Sequence, residues 1–179
     1  MPQFTAGLTG DLTGLRVGVE RRHHGVAVGA EAVVVDQVER AVRELEGAGA
    51  VVEEVTVANY EVAVAATDVI VHSEAYAHHR TSLRDRWNEY GSFTRLLLTH
   101  GAFVSGADYV QAQRVRSMVR AEVAQLFERV DVLVMPTIGV TVPRLDADFM
   151  AILPLFFTNV WNLTRSEEHT SELQSRHNL

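Results

Sequence analysis

The 179-residue sequence contains no cysteine. That removes disulfide frameworks, thiolate nucleophiles and cysteine-ligated zinc from consideration, and it fits a cytoplasmic location. Lysine is absent as well. All sixteen cationic side chains are arginines. There is no dense basic run and the net charge is −7, which argues against nucleic acid as a partner because phosphate binding needs clustered cations. No apolar stretch reaches eighteen residues, and the opening Met1-Pro2-Gln3-Phe4 lacks the cationic-then-apolar order of a signal peptide. Neither a membrane span nor a membrane partner is expected. Gly-x-Ser-x-Gly, Gly-x-Gly-x-x-Gly and Walker-type loops are missing too, and with them three common enzyme classes.

What is present reads as one globular domain of α/β type. Apolar residues make up 47% of the chain and charged residues 22%, enough to build a core and too apolar for a disordered chain. Leu15 to Val19 is a short apolar run bounded by Gly14, as a strand should be. Asp36 with Glu39 has the form of a capping box, followed by Val38, Ala41, Val42 and Leu45 at helical spacing and stopped by Gly47 and Gly49. Val51 to Val57 is β-branched, so the first fifty-odd residues predict a parallel strand–helix–strand unit. The alanine-rich text from Asn59 to about Arg84 predicts a long helix, and a second helical piece covers roughly Phe93 to Phe103. Ser105 and Asp108 form another capping-box pattern opening a helix from Gly106 to Arg129. Val130 to Met135, stopped by Pro136, predicts a buried strand. Helices alternating with strands imply helices covering a mostly parallel sheet.

The run from Arg165 to Leu179 has neither helical nor strand periodicity and breaks abruptly from the apolar text before it. It resembles the in-frame translation of a sequencing adapter and is set aside as a non-native tail.

Candidate chemistry is sparse. His23-His24 and His78-His79, with His72 nearby, are metal-ligand and general-base residue types. Neighbours on a helix diverge by about 100°, so His78 and His79 cannot both face one ion and are expected on a solvated face. His23 and His24 are expected at the surface of a loop. The most informative position is Arg116. On a helical wheel Tyr109, Ala112, Val115, Val119, Val123, Leu126 and Phe127 form one apolar stripe, and Arg116 falls inside it. Arg114 points away and Arg120 sits just beyond the edge. A guanidinium there needs an acceptor. Either it makes an internal ion pair, for which Glu74 is a candidate, or it clamps an anionic or carbonyl-bearing ligand.

Six segments, in order, carry a resemblance: Gly14 to Val19, Glu44 to Ala50, Ser73 to Arg80, Ser105 to Arg116, Asp131 to Thr137, and Phe157 to Leu163. Together they resemble the C-terminal half of the amidase signature family, over about Gly7 to Thr164. The resemblance implies a partial α/β/α sandwich with a mixed, mostly parallel central sheet over residues 1–164, incomplete at both ends. It also implies hydrolysis of a carboxamide by two serines and a lysine, none of which can be placed on this sequence, so no catalytic residue is assigned. Arg116 lies where an arginine of related amidotransferases faces the substrate, and it is the one substrate-binding candidate. The partner implied is a small-molecule amide. No cofactor or metal is expected, and a homodimer is left open. After Glu74-Ala75 the text Tyr-Ala-His-His-Arg is more like free-standing amidases than the A subunits of aminoacyl-tRNA amidotransferases, which remain the alternative enzyme. A short binding or scaffolding module is the non-enzyme alternative.

Overall fold

The protein is described by a computed structural model covering residues 10–164. The residues set aside as a tail, Arg165 to Leu179, lie outside them. In chain order the elements are β1 (Arg16–Glu20), α1 (Ala32–Gly47), β2 (Val51–Val55), α2 (Tyr60–Asp85), α3 (Ser92–His100), α4 (Gly106–Arg129), β3 (Val132–Val134), α5 (Phe149–Ile152) and α6 (Asn159–Thr164), with short 3-10 turns between some of them. The chain gathers into two compact units, each discontinuous in sequence: Met1–Ala58 with Val123–Thr158, and Asn59–Glu122 with Asn159–Leu179.

The first unit holds the sheet. Its strand order is β2-β1-β3 and both pairings are parallel, with Val17 opposite Val52 on one side and Val132 on the other. β1 is the central strand, and four of its five residues are buried, because a parallel strand with neighbours on both sides is covered on both faces. Val17 and Val19 pack with Val42 of α1 and Ala50, flanked by Leu12, Leu15, Val38, Leu45, Val52 and Val134. The turn from α1 into β2 depends on Gly49, whose φ of 101° places it in the left-handed region that other residues rarely adopt. A Cβ there would also stand 2.9 Å from the Thr13 hydroxyl.

Two expectations are corrected in this unit. α1 starts at Ala32, a turn earlier than the Asp36–Glu39 pattern implies, and Asp36 lies inside it. The supposed box residue Glu39 instead accepts a fork of hydrogen bonds from Arg21, at 2.6 and 2.9 Å, a pairing stronger than reaching back to a main-chain amide. The third strand is three residues long, and none of its residues is buried. Among the described strands it pairs only with β1, so it lacks the second neighbour that buries a central strand. Its start is held by Asp131, whose carboxylate takes the Arg16 main-chain amide at 2.9 Å and the Arg16 guanidinium at 2.6 and 3.1 Å.

The second unit is helical. α2 buries Tyr60, Ala63, Ala66, Thr67 and Ile70, a spacing that keeps one side of the helix inward. α6 buries Val160, Trp161, Leu163 and Thr164 and packs against α2. The turn after α3 presses on α2 so closely that a Cβ at Gly101 would collide with the His72 carbonyl and stand 2.7 Å from Tyr76 Cβ. Only glycine permits that approach. Among the described residues no helix is long and apolar enough to cross a membrane.

Candidate functional site

α4 presents the residue singled out by its sequence. Ser105 opens the helix as anticipated: its hydroxyl accepts from the Asp108 amide at 3.1 Å and donates to the Asp108 carboxylate at 2.7 Å. The apolar stripe is realised. Ala112, Val119, Val123 and Leu126 are buried, Tyr109, Val115 and Phe127 are half-buried, and Arg114 is exposed. Arg116 lies on the stripe and is half-buried.

The partner of Arg116 differs from the carboxylate anticipated. Its Nε donates to the Leu163 carbonyl at 2.9 Å. That carbonyl belongs to α6, so the arginine ties α4 to α6 through a charge-assisted bond to main chain. Glu74 is engaged elsewhere. It accepts from the Tyr109 hydroxyl at 2.8 Å, and Gln113 Nε2 donates to the same hydroxyl at 2.9 Å. The bond to Glu74 and partial burial raise the Tyr109 pKa, while Gln113 and the nearby Arg116 charge oppose that rise. Tyr109, Gln113 and Arg116, one helical turn apart in succession, therefore line one polar strip of α4 facing Glu74 of α2. With Nε occupied, the terminal amino groups of Arg116 carry no protein hydrogen bond among the described residues. They can address a carbonyl or carboxylate bidentately.

The histidines divide. His78 is exposed as expected, and half-buried His79 sets Nδ1 3.2 Å from the Tyr90 hydroxyl. His23 and His24, expected at a loop surface, are 7% and 2% exposed. Both turn back onto Glu20, the last residue of β1, itself 1% exposed. His23 Nδ1 lies 2.7 Å from one carboxylate oxygen and His24 Nδ1 2.7 Å from the other, while the His23 amide donates to the carboxylate at 3.0 Å. The His24 ring meets Phe157 edge-on at 4.8 Å. Burial pushes the Glu20 pKa up, but the bonds from His24 and His23 outweigh it and hold the carboxyl below its ordinary range. The sequence offers one hint, imidazoles three and four residues after an acidic residue, but the need for donors arises only when β1 is covered on both sides and Glu20 is buried. The cluster stands at the C-terminal end of the parallel strands, where α/β proteins bind ligands, but it is buried and both Nδ1 atoms are spent on the Glu20 carboxylate.

An open apolar groove in the first unit, lined chiefly by Val33, Val34, Val38, Pro136, Ile138 and Val140, offers shape without chemistry. Among the described residues no three His, Asp or Glu side chains converge as metal ligands.

Known proteins resemble this chain along most of its length. A family model described as Amidase matches residues 1–170. An amidase from Pseudomonas putida is 36% identical over 144 residues, which cover 80% of this chain and 30% of that protein. The A subunit of a glutamyl-tRNA(Gln) amidotransferase from Pseudomonas fluorescens is 26% identical over 188 residues, covering 92% of this chain and 38% of that one. The chain thus spans about a third of the length of the curated relatives it matches. Among solved structures, a bacterial aryl acylamidase of the amidase signature enzymes superposes with a TM-score of 0.72 at 16% identity, over 91% of this chain and 38% of that chain, a likeness of fold.

Proposed function

We propose, from the premise that this chain belongs to the amidase signature family, that it forms part of an enzyme hydrolysing the C–N bond of a carboxamide. The observation that carries the reading is the family match along residues 1–170. In this reading a serine attacks the amide carbonyl, the amine departs, and water resolves the acyl-enzyme. The family's two serines and lysine are supplied by chain outside these residues, since the sequence has no lysine. Main-chain donors that stabilise the tetrahedral oxyanion belong with them. Arg116 is the contribution of this chain to the substrate. Its Nε is anchored on Leu163 and its terminal amino groups grip a carbonyl or carboxylate of the amide.

A second reading, an A subunit of a tRNA-dependent amidotransferase, is favoured by relatives such as the Pseudomonas fluorescens protein. The free-standing amidase is preferred because Glu74-Ala75 is followed by Tyr-Ala-His-His-Arg. Co-purification of the full-length protein with partner subunits would reverse that order.

The test compares the 179-residue chain with the full-length protein on a small carboxamide. The chain alone shows no hydrolysis above buffer, and the full-length enzyme turns the amide over, with Arg116→Met raising KM more than it lowers kcat. Turnover by the chain alone that survives repurification and disappears on mutating one of its own residues would overturn the reading. An unchanged KM in Arg116→Met would remove the arginine from it.

A further inference from the structure

His72 sits in the middle of α2 and His100 is the last residue of α3, yet their ring centroids are 5.1 Å apart with planes inclined at 44°. The approach is enforced. Gly101, directly after His100, lies against the His72 carbonyl with no room for a side chain, so the two helices are pinned at the very residues that carry the rings. His72 Nδ1 lies 2.7 Å from the Asp68 carbonyl one turn earlier. A carbonyl can only accept, so the proton resides on Nδ1 and the lone pair on Nε2. A main-chain carbonyl holding one ring nitrogen so that the other can bind is the outer-shell arrangement of metal-ligating histidines. His100 is exposed and closes α3, at the helix end whose dipole favours positive charge.

From these observations we infer that His72 and His100 form a two-imidazole site for a divalent transition ion of the Cu²⁺ and Zn²⁺ class, with water filling its remaining positions. With metal–nitrogen bonds of about 2.0 to 2.1 Å and a tetrahedral angle between them, two imidazole centroids stand about 5 Å apart, the spacing seen here. Imidazole suits copper, nickel and zinc and not magnesium or calcium, and copper binds more tightly than zinc. Among the described residues no third carboxylate or imidazole joins the pair, so the ion keeps an open, solvent-facing side. The other histidine pairs do not offer this. His78 and His79 are neighbours on one helix, and His79 Nδ1 is engaged with Tyr90. His23 and His24 are buried on Glu20. The inference is independent of the amidase reading.

Calorimetric titration of copper(II) chloride into the full 179-residue chain tests it, with His169→Ala and His177→Ala as a common background so that no other terminal imidazole competes. One equivalent binds saturably, zinc chloride binds more weakly, and the electron paramagnetic resonance spectrum of the copper complex shows coupling to two nitrogens. Loss of an outer-shell partner alone costs metal sites about 10- to 100-fold, so removing one of two ligands weakens binding at least about tenfold. His72→Ala and His100→Ala each do so, and His78→Ala changes affinity less than about twofold. Circular dichroism checks folding of each variant. His100→Gln, at an exposed position, decides the matter if His72→Ala unfolds. Absence of saturable binding, or affinity unchanged in the His100 variants, would overturn the inference.

Discussion

Replacing Glu20 by glutamine asks whether a charge, and not merely a side chain of that shape, holds the loop after β1. The carboxylate accepts three N–H groups, from the His23 amide at 3.0 Å and from the two Nδ1 atoms at 2.7 Å each. Glutamine offers one acceptor oxygen and turns an amino group toward an imidazole. One bond is lost and the others fall from charge-assisted to neutral. Hydrogen bonds to charged groups contribute about 1.5–3 kcal/mol and neutral ones about 1 kcal/mol, so one bond lost and two made neutral amount to roughly 2.5–7 kcal/mol. Against a total stability of about 5–15 kcal/mol this is readily measured. Urea denaturation followed by far-ultraviolet circular dichroism at pH 7 gives the difference. Its pH dependence has a definite sign. The folded pKa of Glu20 lies below its ordinary 4.5, so the folded state binds that proton more weakly than the unfolded chain. The contribution is complete above 4.5 and is lost as pH falls toward the folded value. Glutamine does not titrate there, so the gap between the two proteins narrows on acidification below 4.5. A gap under about 1 kcal/mol at pH 7, or one that fails to narrow in acid, would refute the reasoning.

Gly101→Ala, whose new Cβ would strike main-chain atoms of α2 rather than a movable side chain, destabilises the chain by about 3 kcal/mol or more in the same assay, and a loss under about 1 kcal/mol would contradict the packing. Arg116→Met removes a bond to a carbonyl rather than a partner of a buried carboxylate, so it lowers stability by only about 1–2 kcal/mol, and a loss of about 3 kcal/mol or more would indicate a carboxylate partner. Asp131, held by the Arg16 side chain and amide, titrates at about 2 by nuclear magnetic resonance, and Arg16→Met moves it up toward 3.8. Its depressed folded pKa means that any stability it adds is present above 3.8 and is lost as pH falls toward 2.

Periodicity and composition were sufficient for the longer elements, while the start of α1, the shortness of β3 and the short helices α5 and α6 were not read from them. The βαβ unit, the long helix after Asn59, the Ser105 cap and the apolar stripe of α4 all rest on local patterns that the tertiary structure keeps, because each pattern matches the period of its element. The lack of lysine is likewise a fact of the sequence that no folding alters, and it bears directly on the family's chemistry. Partnership was not legible. The same guanidinium on the stripe serves a carboxylate or a carbonyl, and only the arrival of α6, forty-seven residues later in the chain, assigns it to Leu163. Asp36 and Glu39 match a cap in sequence, but Arg21 competes for Glu39 from outside the helix. His23 and His24 look like polar loop residues until β1 acquires a neighbour on each side. Burying Glu20 at the end of that strand creates the demand for donors that draws both imidazoles inward, and such a demand exists only once strands distant in sequence have paired.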